Sequence, residues 1–420
     1  MSAPGNNDGS GRASVPIEGQ TPLNYLAGRR LALVVTGGVA AYKAAELARM
    51  LVRSGAGVRA VLTENAARFI TPLTFESLTG QPAYLDMWSR AQFEIEHISL
   101  ADWAEAVVVA PATANFLAKM AHGLADDFAS AFMLASAAPK LAAPAMNSRM
   151  LANQATADNL RVLAERGVTI IGSQTGLLAC GTVGDGRLAE LETIALMAAR
   201  ALGPNDFSGR RLAVSAGSTR ESWDDIRFLA NRSTGRMGLD IALAAWLRGA
   251  EVTVVAGPMV APPPALPGLD FRVAESTRDM LAALMETEFQ TLVMAAAPAD
   301  FRPAERVYGK IKKGGSLPSL SLAANPDILK GLPRQSGRLY IGFAAEDGDL
   351  AARAAAKLKD KDLDLVAANQ AGGEGGAFAS ADNNLHLVFK DGRVLEISPR
   401  PKFAAAWALL DAVKDLKPRA

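Results

Sequence analysis

Charge of one sign is scarce in this chain. Its 420 residues carry 44 Lys and Arg against 43 Asp and Glu, a formal net charge of +1. Such a balance provides no field that would gather nucleic acid or coat a membrane, so the expected partners are small molecules, with no nucleic acid and no membrane. Cysteine is nearly absent too. The single thiol, Cys180, excludes an intramolecular disulfide and fits a reducing compartment. Charges, prolines or glycines interrupt every apolar stretch well before the roughly 18 residues that a membrane helix requires. Residues 1–28 are rich in Gly, Ser, Asn and Pro and lack an apolar segment, so they are expected to form a flexible tail and not a secretion signal. A cytoplasmic location follows. Also missing is any Gly-x-x-x-x-Gly-Lys-Ser/Thr run, which excludes a P-loop, and neither glycine turn described below has Gly-x-Gly-x-x-Gly spacing.

What the chain does have is half its residues hydrophobic, enough to bury more than one core over this length. Short apolar strands alternate with segments of helical period, among them Val107-Val-Val-Ala110, Lys140-Leu-Ala-Ala-Pro144 and Val168-Thr-Ile-Ile171. This alternation predicts α/β architecture with open, doubly wound, mostly parallel sheets. The turn-rich segment 203–209 marks a boundary, giving a first domain at 29–205 and a second at 206–420. A second strand series begins at Leu212. Near the end, His386-Leu-Val-Phe389 and Val394-Leu-Glu-Ile397 flank Asp391-Gly392 as an antiparallel hairpin.

Twice, about 180 residues apart, an apolar strand runs into a small-residue turn and then a helix. The first copy ends in Thr36-Gly37-Gly38-Val39, the second in Ala216-Gly217-Ser218-Thr219. A glycine turn that opens a helix offers backbone N–H groups and a positive dipole end to an anion, so two turns suggest two nucleotide sites. Taken alone, Thr-Gly-Gly reads equally well as a tight turn or as a ligand turn. Thr63 ends the next strand, where it could cap a helix or bind phosphate. The neighbours favour a ligand. Pro111-Ala112-Thr113-Ala-Asn115 and Pro144-Ala-Met-Asn147 follow strands, where open sheets bind their ligands, and His97 stands alone between them and the first turn.

These segments, with the glycine-rich run 176–187 around Cys180, stand in the order found in flavin-dependent cysteine decarboxylases of coenzyme A biosynthesis, which they resemble. The resemblance implies FMN as cofactor, held by Thr36, Gly37, Gly38 and Val39, by Thr63, and by Pro111, Ala112, Thr113 and Asn115. In that family the flavin oxidises the cysteine thiol of phosphopantothenoylcysteine, carbon dioxide leaves, and the product is reduced and protonated. His97 is then a base or orienting group, Asn147 holds the substrate carboxylate, and Cys180 is the proton donor on a mobile flap.

The second half carries Asn231-Arg-Ser-Thr-Gly-Arg-Met-Gly238, a polar turn opening an apolar helix, and Asp300 at a strand's carboxyl end as a nucleotide or magnesium contact. Lys310 follows, while Lys312 and Lys313 read as a solvated face. With Asn325-Pro326-Asp327-Ile328-Leu329, Gly342-Phe343, Lys357 and Lys361, this half resembles phosphopantothenate-cysteine ligases in the form fused to the decarboxylase. The resemblance spans residues 29–415. It implies CTP near Ala296, Asp300, Lys310, Pro326, Asp327, Ile328, Leu329, Phe343, Lys357 and Lys361, magnesium at Asp300, and phosphopantothenate and cysteine as the other substrates. Lys310 would neutralise developing charge and Asn231 would align the acyl group. The Ala216-Gly217-Ser218 turn reads as part of that site.

Two positions depart from the family pattern, Ser218 for a proline and Thr234 for a serine; neither removes the N–H groups or the hydroxyl that the pattern needs. A homo-oligomer is implied, trimeric through the first domain and dimeric through the second. Preference for CTP over ATP rests on the resemblance. The alternatives are a protein with one active half, or a flavoprotein binding subunit.

Overall fold

The computed structural model describes residues 21–87, 96–179, 181–312, 319–370 and 382–418. In the first half, β1 (Arg30–Val35), β2 (Gly57–Leu62), β3 (Ala106–Ala112), β4 (Lys140–Pro144) and β5 (Thr169–Ile170) form one sheet. Its order is β2-β1-β3-β4-β5 and every pairing is parallel. That is the flavodoxin order, in which the chain reverses direction across the sheet between β1 and β3 and leaves a crevice there. β1 and β3 are apolar and buried almost throughout, as strands covered on both faces must be. The Ala41–Arg53 helix lies over them because Ala41, Ala44, Leu47, Ala48 and Leu51 recur on one face, and Gly55 at φ 85° turns the chain out of it. Strands β6 (Gln174–Leu177) and β7 (Val183–Arg187) form a separate antiparallel hairpin at the position of the expected flap.

The second half begins with β8 (Arg211–Ala216) and continues through the short ribbon β9 (Glu221–Ser222) and β10 (Phe228–Leu229). Strands β11 (Glu251–Ala256), β12 (Leu269–Val273) and β13 (Thr291–Met294) follow, then the ribbon β14 (Phe301–Pro303) and β15 (Leu322–Ala324). The series closes with β16 (Leu339–Glu346), β17 (Leu365–Gln370), β18 (Asp382–Phe389) and β19 (Val394–Pro401). The large sheet runs β12-β11-β8-β13-β16-β17-β18-β19. Six strands are parallel in the dinucleotide-fold order, with the crevice between β8 and β13, and the expected hairpin β18–β19 extends the sheet antiparallel. Its turn is Asp391-Gly392, with Gly392 at φ 88°.

One apolar cluster continues from the first sheet through Ile194 and Ala198 into Trp246, Phe403 and Leu409 of the second half. Each such fully buried large side chain contributes about 1.5–3 kcal/mol. Polar bonds fasten the same seam. Arg200 donates to the carbonyls of Trp246, Gly249 and Ala250, and the buried Arg248 is paired with Asp206 and Asp411. Here the expectation of a flexible segment through residue 28 is corrected. Pro22–Leu26 is a 3-10 helix, Leu26 is buried, Tyr25 stacks on Trp407 at 4.9 Å, and its hydroxyl donates to Leu202. The apolar triple Leu23, Tyr25 and Leu26 outweighs the polar composition upstream. Among the described residues, no helix is long and apolar enough to cross a membrane.

Candidate functional site

At the carboxyl ends of β1 and β3 lies a cleft of about 1120 Å³. Thr36, Gly37, Gly38 and Val39 line one side, Thr63 the second, and Pro111, Thr113 and Asn115 the third. The buried Thr36 hydroxyl donates to the Pro111 carbonyl at 2.7 Å and accepts the Thr113 N–H at 3.0 Å. Its one hydrogen is thereby spent on tying β1 to β3, so what the turn can offer an anion is backbone N–H. A Cβ on Gly37 would sit 2.4 Å from the Asn65 Cβ and 2.7 Å from its carbonyl carbon, which is why this position is glycine. Thr63 caps the Glu64–Ala67 helix through Ala66 N–H at 3.2 Å. Ala112 points elsewhere: it is buried in the core and does not line the cleft.

Across the cleft stands Asn147, whose Oδ1 accepts Arg149 N–H at 2.9 Å as cap of the Ser148–Leu151 helix. The amide nitrogen is the end that a carboxylate needs. The hairpin is fastened beside it: Met146 N–H donates to Gly186, and a Cβ at Gly186 would meet the Met146 oxygen at 2.1 Å. Cys180, between β6 and β7 in sequence, lies outside the described residues. His97 opens the Glu96–Trp103 helix half-buried, edge-on to Phe128 at 6.3 Å, and does not line the cleft of its own chain. Lys119 closes the far end, holding Asp126 at 2.6 Å and Asp127 at 2.8 Å. Burial opposes the Lys119 charge, but those two hydrogen bonds prevail and raise its pKa.

In the second half a cavity of about 740 Å³ opens beyond β13, β16 and β17. Ala296, Asp300, Pro326, Asp327, Ile328, Leu329, Phe343, Lys357 and Lys361 all line it. Lys357 donates to the Phe343 carbonyl at 2.6 Å, and burial, followed by the like charge of Lys361, lowers its pKa. Lys361 is ion-paired with Asp327, the cap of the Ile328–Gly331 helix. Asn231 also lines the cavity, donating to the carbonyls of Ala297 at 3.3 Å and Pro298 at 2.9 Å. Lys310 does not; it is exposed and away from the lining. Among the described residues no cluster of three or more His, Cys, Asp or Glu could hold a metal ion; the carboxylates in the lining are Asp300 and Asp327, the latter ion-paired with Lys361.

The second glycine turn departs from expectation. Gly217 is not in the cavity wall. It lies beneath Gly235, where a Cβ would meet Val260 at 2.4 Å, and Gly238 packs on Ala216. The turn that lines the cavity is the one that follows, 233–238, which opens the Arg236–Leu247 helix. Arg236 itself is engaged, its Nε 2.9 Å from both oxygens of Asp240. Burial pushes the Asp240 pKa up to about 6 despite that guanidinium. Sequence reasoning missed three buried polar wall residues, Thr277, Asn383 and Lys402. The only signal for Lys402 was a lysine beginning a helix directly after Pro401.

Two doubly wound sheets, each with a ligand-sized cleft at the carboxyl ends of its strands, define a two-site α/β enzyme of nucleotide-binding type. Residues 21–202 match the Flavoprotein family model and residues 207–416 match the DNA/pantothenate metabolism flavoprotein C-terminal domain. The coenzyme A biosynthesis bifunctional protein CoaBC of Vibrio cholerae is 40% identical over 378 residues, 88% of this chain and 94% of that protein. Those of Bacillus subtilis (38% identical, 92% of this chain and 97% of that protein) and Escherichia coli K12 (40%, 87% and 92%) match similarly. The chain belongs to this family of coenzyme A biosynthesis bifunctional proteins, joining a flavoprotein decarboxylase half to a ligase half.

Proposed function

We propose that residues 206–420 use CTP to ligate phosphopantothenate to cysteine, and that residues 29–205 bind FMN and decarboxylate the phosphopantothenoylcysteine formed. The observation that carries this reading is the pairing of two unlike clefts in one chain. The first has a backbone turn for one phosphate and an apolar wall that includes Val39, Met150 and Leu177; the second is edged by Lys357, Lys361 and the start of a helix.

In the ligase half the phosphopantothenate carboxylate attacks the α-phosphorus of CTP. The bond to the β-phosphate breaks, pyrophosphate leaves, and the amine of cysteine then displaces CMP from the acyl-cytidylate. Lys357 and Lys361 are suited to the triphosphate, since its oxygens can take over the partners that these lysines now find in Phe343 and Asp327. Magnesium fits a site whose lining offers Asp300 beside an ion-paired Asp327, because the triphosphate supplies most of its ligands. Asn231, bonded to the 297–298 backbone, is positioned to align the acyl group.

In the decarboxylase half Gly37, Gly38 and Val39 would hold the FMN phosphate, Thr63, Pro111, Thr113 and Asn115 flank it, and Ala112 supports it from the core. FMN, when bound, supplies a two-electron acceptor and donor for the substrate thiol. Asn147 orients the substrate carboxylate and Cys180 returns a proton to carbon. His97 lies outside its own chain's cleft, and Val39 and Tyr42 in the cleft lining are 56% and 60% exposed. Both observations favour assembly through the first half, a trimer in which His97 serves a neighbouring copy's cleft. Exposed Lys310 fits pairing of second halves in the same way. A cytoplasmic location accords with this chemistry.

The test is an assay of the full chain. Phosphopantothenate, cysteine, CTP and magnesium should yield pyrophosphate and CMP, and yellow protein with flavin bands should release carbon dioxide from the ligated product. Cys180→Ser should stall after carbon dioxide loss; unimpaired phosphopantetheine formation by that variant rejects the proton-donor role. Faster ligation with ATP than with CTP rejects the nucleotide assignment.

A further inference from the structure

The ligase cavity is walled from Ala296 to Asp300 by backbone that side chains hold from behind. Three of those side chains, Thr219, Glu221 and Thr277, are 0%, 4% and 1% exposed, and of the three only Thr277 lines the cavity. A carboxylate buried so deeply needs donors. Glu221 Oε1 accepts the Thr277 N–H at 2.9 Å and the Thr277 hydroxyl at 2.8 Å, at the start of the Thr277–Met285 helix where the dipole favours negative charge. That hydroxyl has one hydrogen, and the carboxylate takes it. In the 3.0 Å contact between the two threonine oxygens Thr219 is therefore the donor, and its own oxygen accepts the Ala299 N–H at 3.0 Å. The chain of bonds has one direction, from the Ala299 N–H through two hydroxyls to Glu221.

The peptide unit that carries this N–H carries the Pro298 carbonyl on its opposite edge. That carbonyl accepts the Asn231 amide at 2.9 Å, and the Ala297 carbonyl accepts it at 3.3 Å, so both amide hydrogens are committed to this segment. Glu221 reaches Asn231 along the chain as well, since its backbone pairs with Leu229 in the β9–β10 ribbon, two residues before Asn231. The turn after β8 thereby has a use although Gly217 is packed away. It carries Thr219, and the Gly217 carbonyl accepts the Ala297 N–H at 2.8 Å.

We propose that Thr219 and Glu221 are positioning residues of the ligase, which fix through the 298–299 peptide the orientation in which Asn231 meets the acyl group. This rests on the ligase reading above. In the second half-reaction the cysteine nitrogen bonds to the acyl carbon, the bond from that carbon to the phosphate oxygen breaks, CMP departs and the nitrogen loses its proton to water. Such an attack is sensitive to a displacement of about 1 Å in an aligning group. Formation of the acyl-cytidylate depends instead on the cations that meet the triphosphate, so the two half-reactions should respond differently.

Thr219→Val keeps the side chain's shape and deletes both of its bonds, whereas Thr219→Ser keeps the hydroxyl. In the full-length Thr219→Val chain, single-turnover pyrophosphate release from CTP and phosphopantothenate should change by less than about threefold, while CMP release on adding cysteine slows about thirtyfold or more. Thr219→Ser should bring CMP release back to within about threefold of the wild type. In an Asn231→Ala background the valine should cost less than about threefold, because a residue that acts through Asn231 has nothing left to position. Equal slowing of both half-reactions, or losses that multiply between Thr219→Val and Asn231→Ala, would mark a merely structural role and overturn the proposal, as would unchanged rates. If Thr219→Val does not fold, Glu221→Gln decides. It keeps an acceptor for Thr277 and should slow CMP release alone, by about fivefold; a parallel fall in both rates, or none, overturns the proposal. Absence of CTP-dependent pyrophosphate release by the wild type would instead reject the ligase reading itself.

Discussion

At the end of β1, Gly37 and Gly38 face an open cleft; at the end of β8, Gly217 lies packed under the start of the Arg236–Leu247 helix. The same local sequence pattern opens onto a cleft in one half and serves packing in the other. What separates them is the insertion after β8. It carries the chain through β9 and β10 and returns it as the 231–238 turn, which covers Gly217 and takes over the cavity wall. The charges differ in the same direction. Lys119, in the first cleft, holds two carboxylates of its own, whereas the second cavity has Lys357 on a carbonyl and Lys402 beside a carboxylate shared with Arg236. The second cavity is lined by Lys357, Lys361 and Lys402, whereas the first has Lys119 held by its own carboxylates and an apolar wall that includes Val39, Met150 and Leu177.

The largest expected effect that separates the halves is that of Lys361→Met. Removing a cation from the developing charge should slow ligation about 100-fold while carbon dioxide release from supplied phosphopantothenoylcysteine stays within twofold. A parallel fall in both rates would break the comparison. Gly37→Ala should do the reverse. Its Cβ would strike Asn65 at 2.4 Å, and overpacking of about 1–3 kcal/mol should weaken flavin retention roughly 10- to 100-fold, read from the visible bands, with ligation intact.

Asp240→Asn probes the charge stored in the second half. The folded-state pKa is raised from 3.8 to about 6, so the wild-type fold favours the protonated acid, and that stabilisation is full below pH 3.8 and lost as pH passes 6. Unfolding in urea should show the variant gaining on the wild type between pH 4 and pH 7 by about 1–2 kcal/mol, within the ceiling set by such a shift. A constant difference across that range would contradict it. Smallest is Thr63→Ala, which removes the cap on the Glu64–Ala67 helix and should cost about 1 kcal/mol of thermal stability with a slight loss of flavin.

Most of the sheet framework was legible in the chain. Continuous apolar runs such as 31–35 and 107–110 can only be strands covered on both faces, and Asp391-Gly392 between alternating segments can hardly be other than a hairpin. Local pattern was silent where contacts come from afar. Residues 22–26 owe their order to Trp407 and Leu202, both far away in sequence, and the fate of Gly217 is decided by Val260 and Gly235. The candidate ligands divide likewise. Those at the ends of strands, such as Thr36, Thr113 and Ala296, fall together because parallel strands end together. His97 and Lys310 sit on connections whose direction no strand sets, and both lie outside the cleft of their own chain. Lys402 escaped notice because a lysine at a helix start reads as solvated until burial is known.

The most direct measurement separates the halves chemically in the intact chain. Protein stripped of flavin should ligate phosphopantothenate to cysteine with CTP at the full rate and accumulate phosphopantothenoylcysteine without releasing carbon dioxide, and added FMN should restore that release. Loss of ligation together with the flavin, or carbon dioxide release without it, would contradict two independent sites with different ligand chemistry.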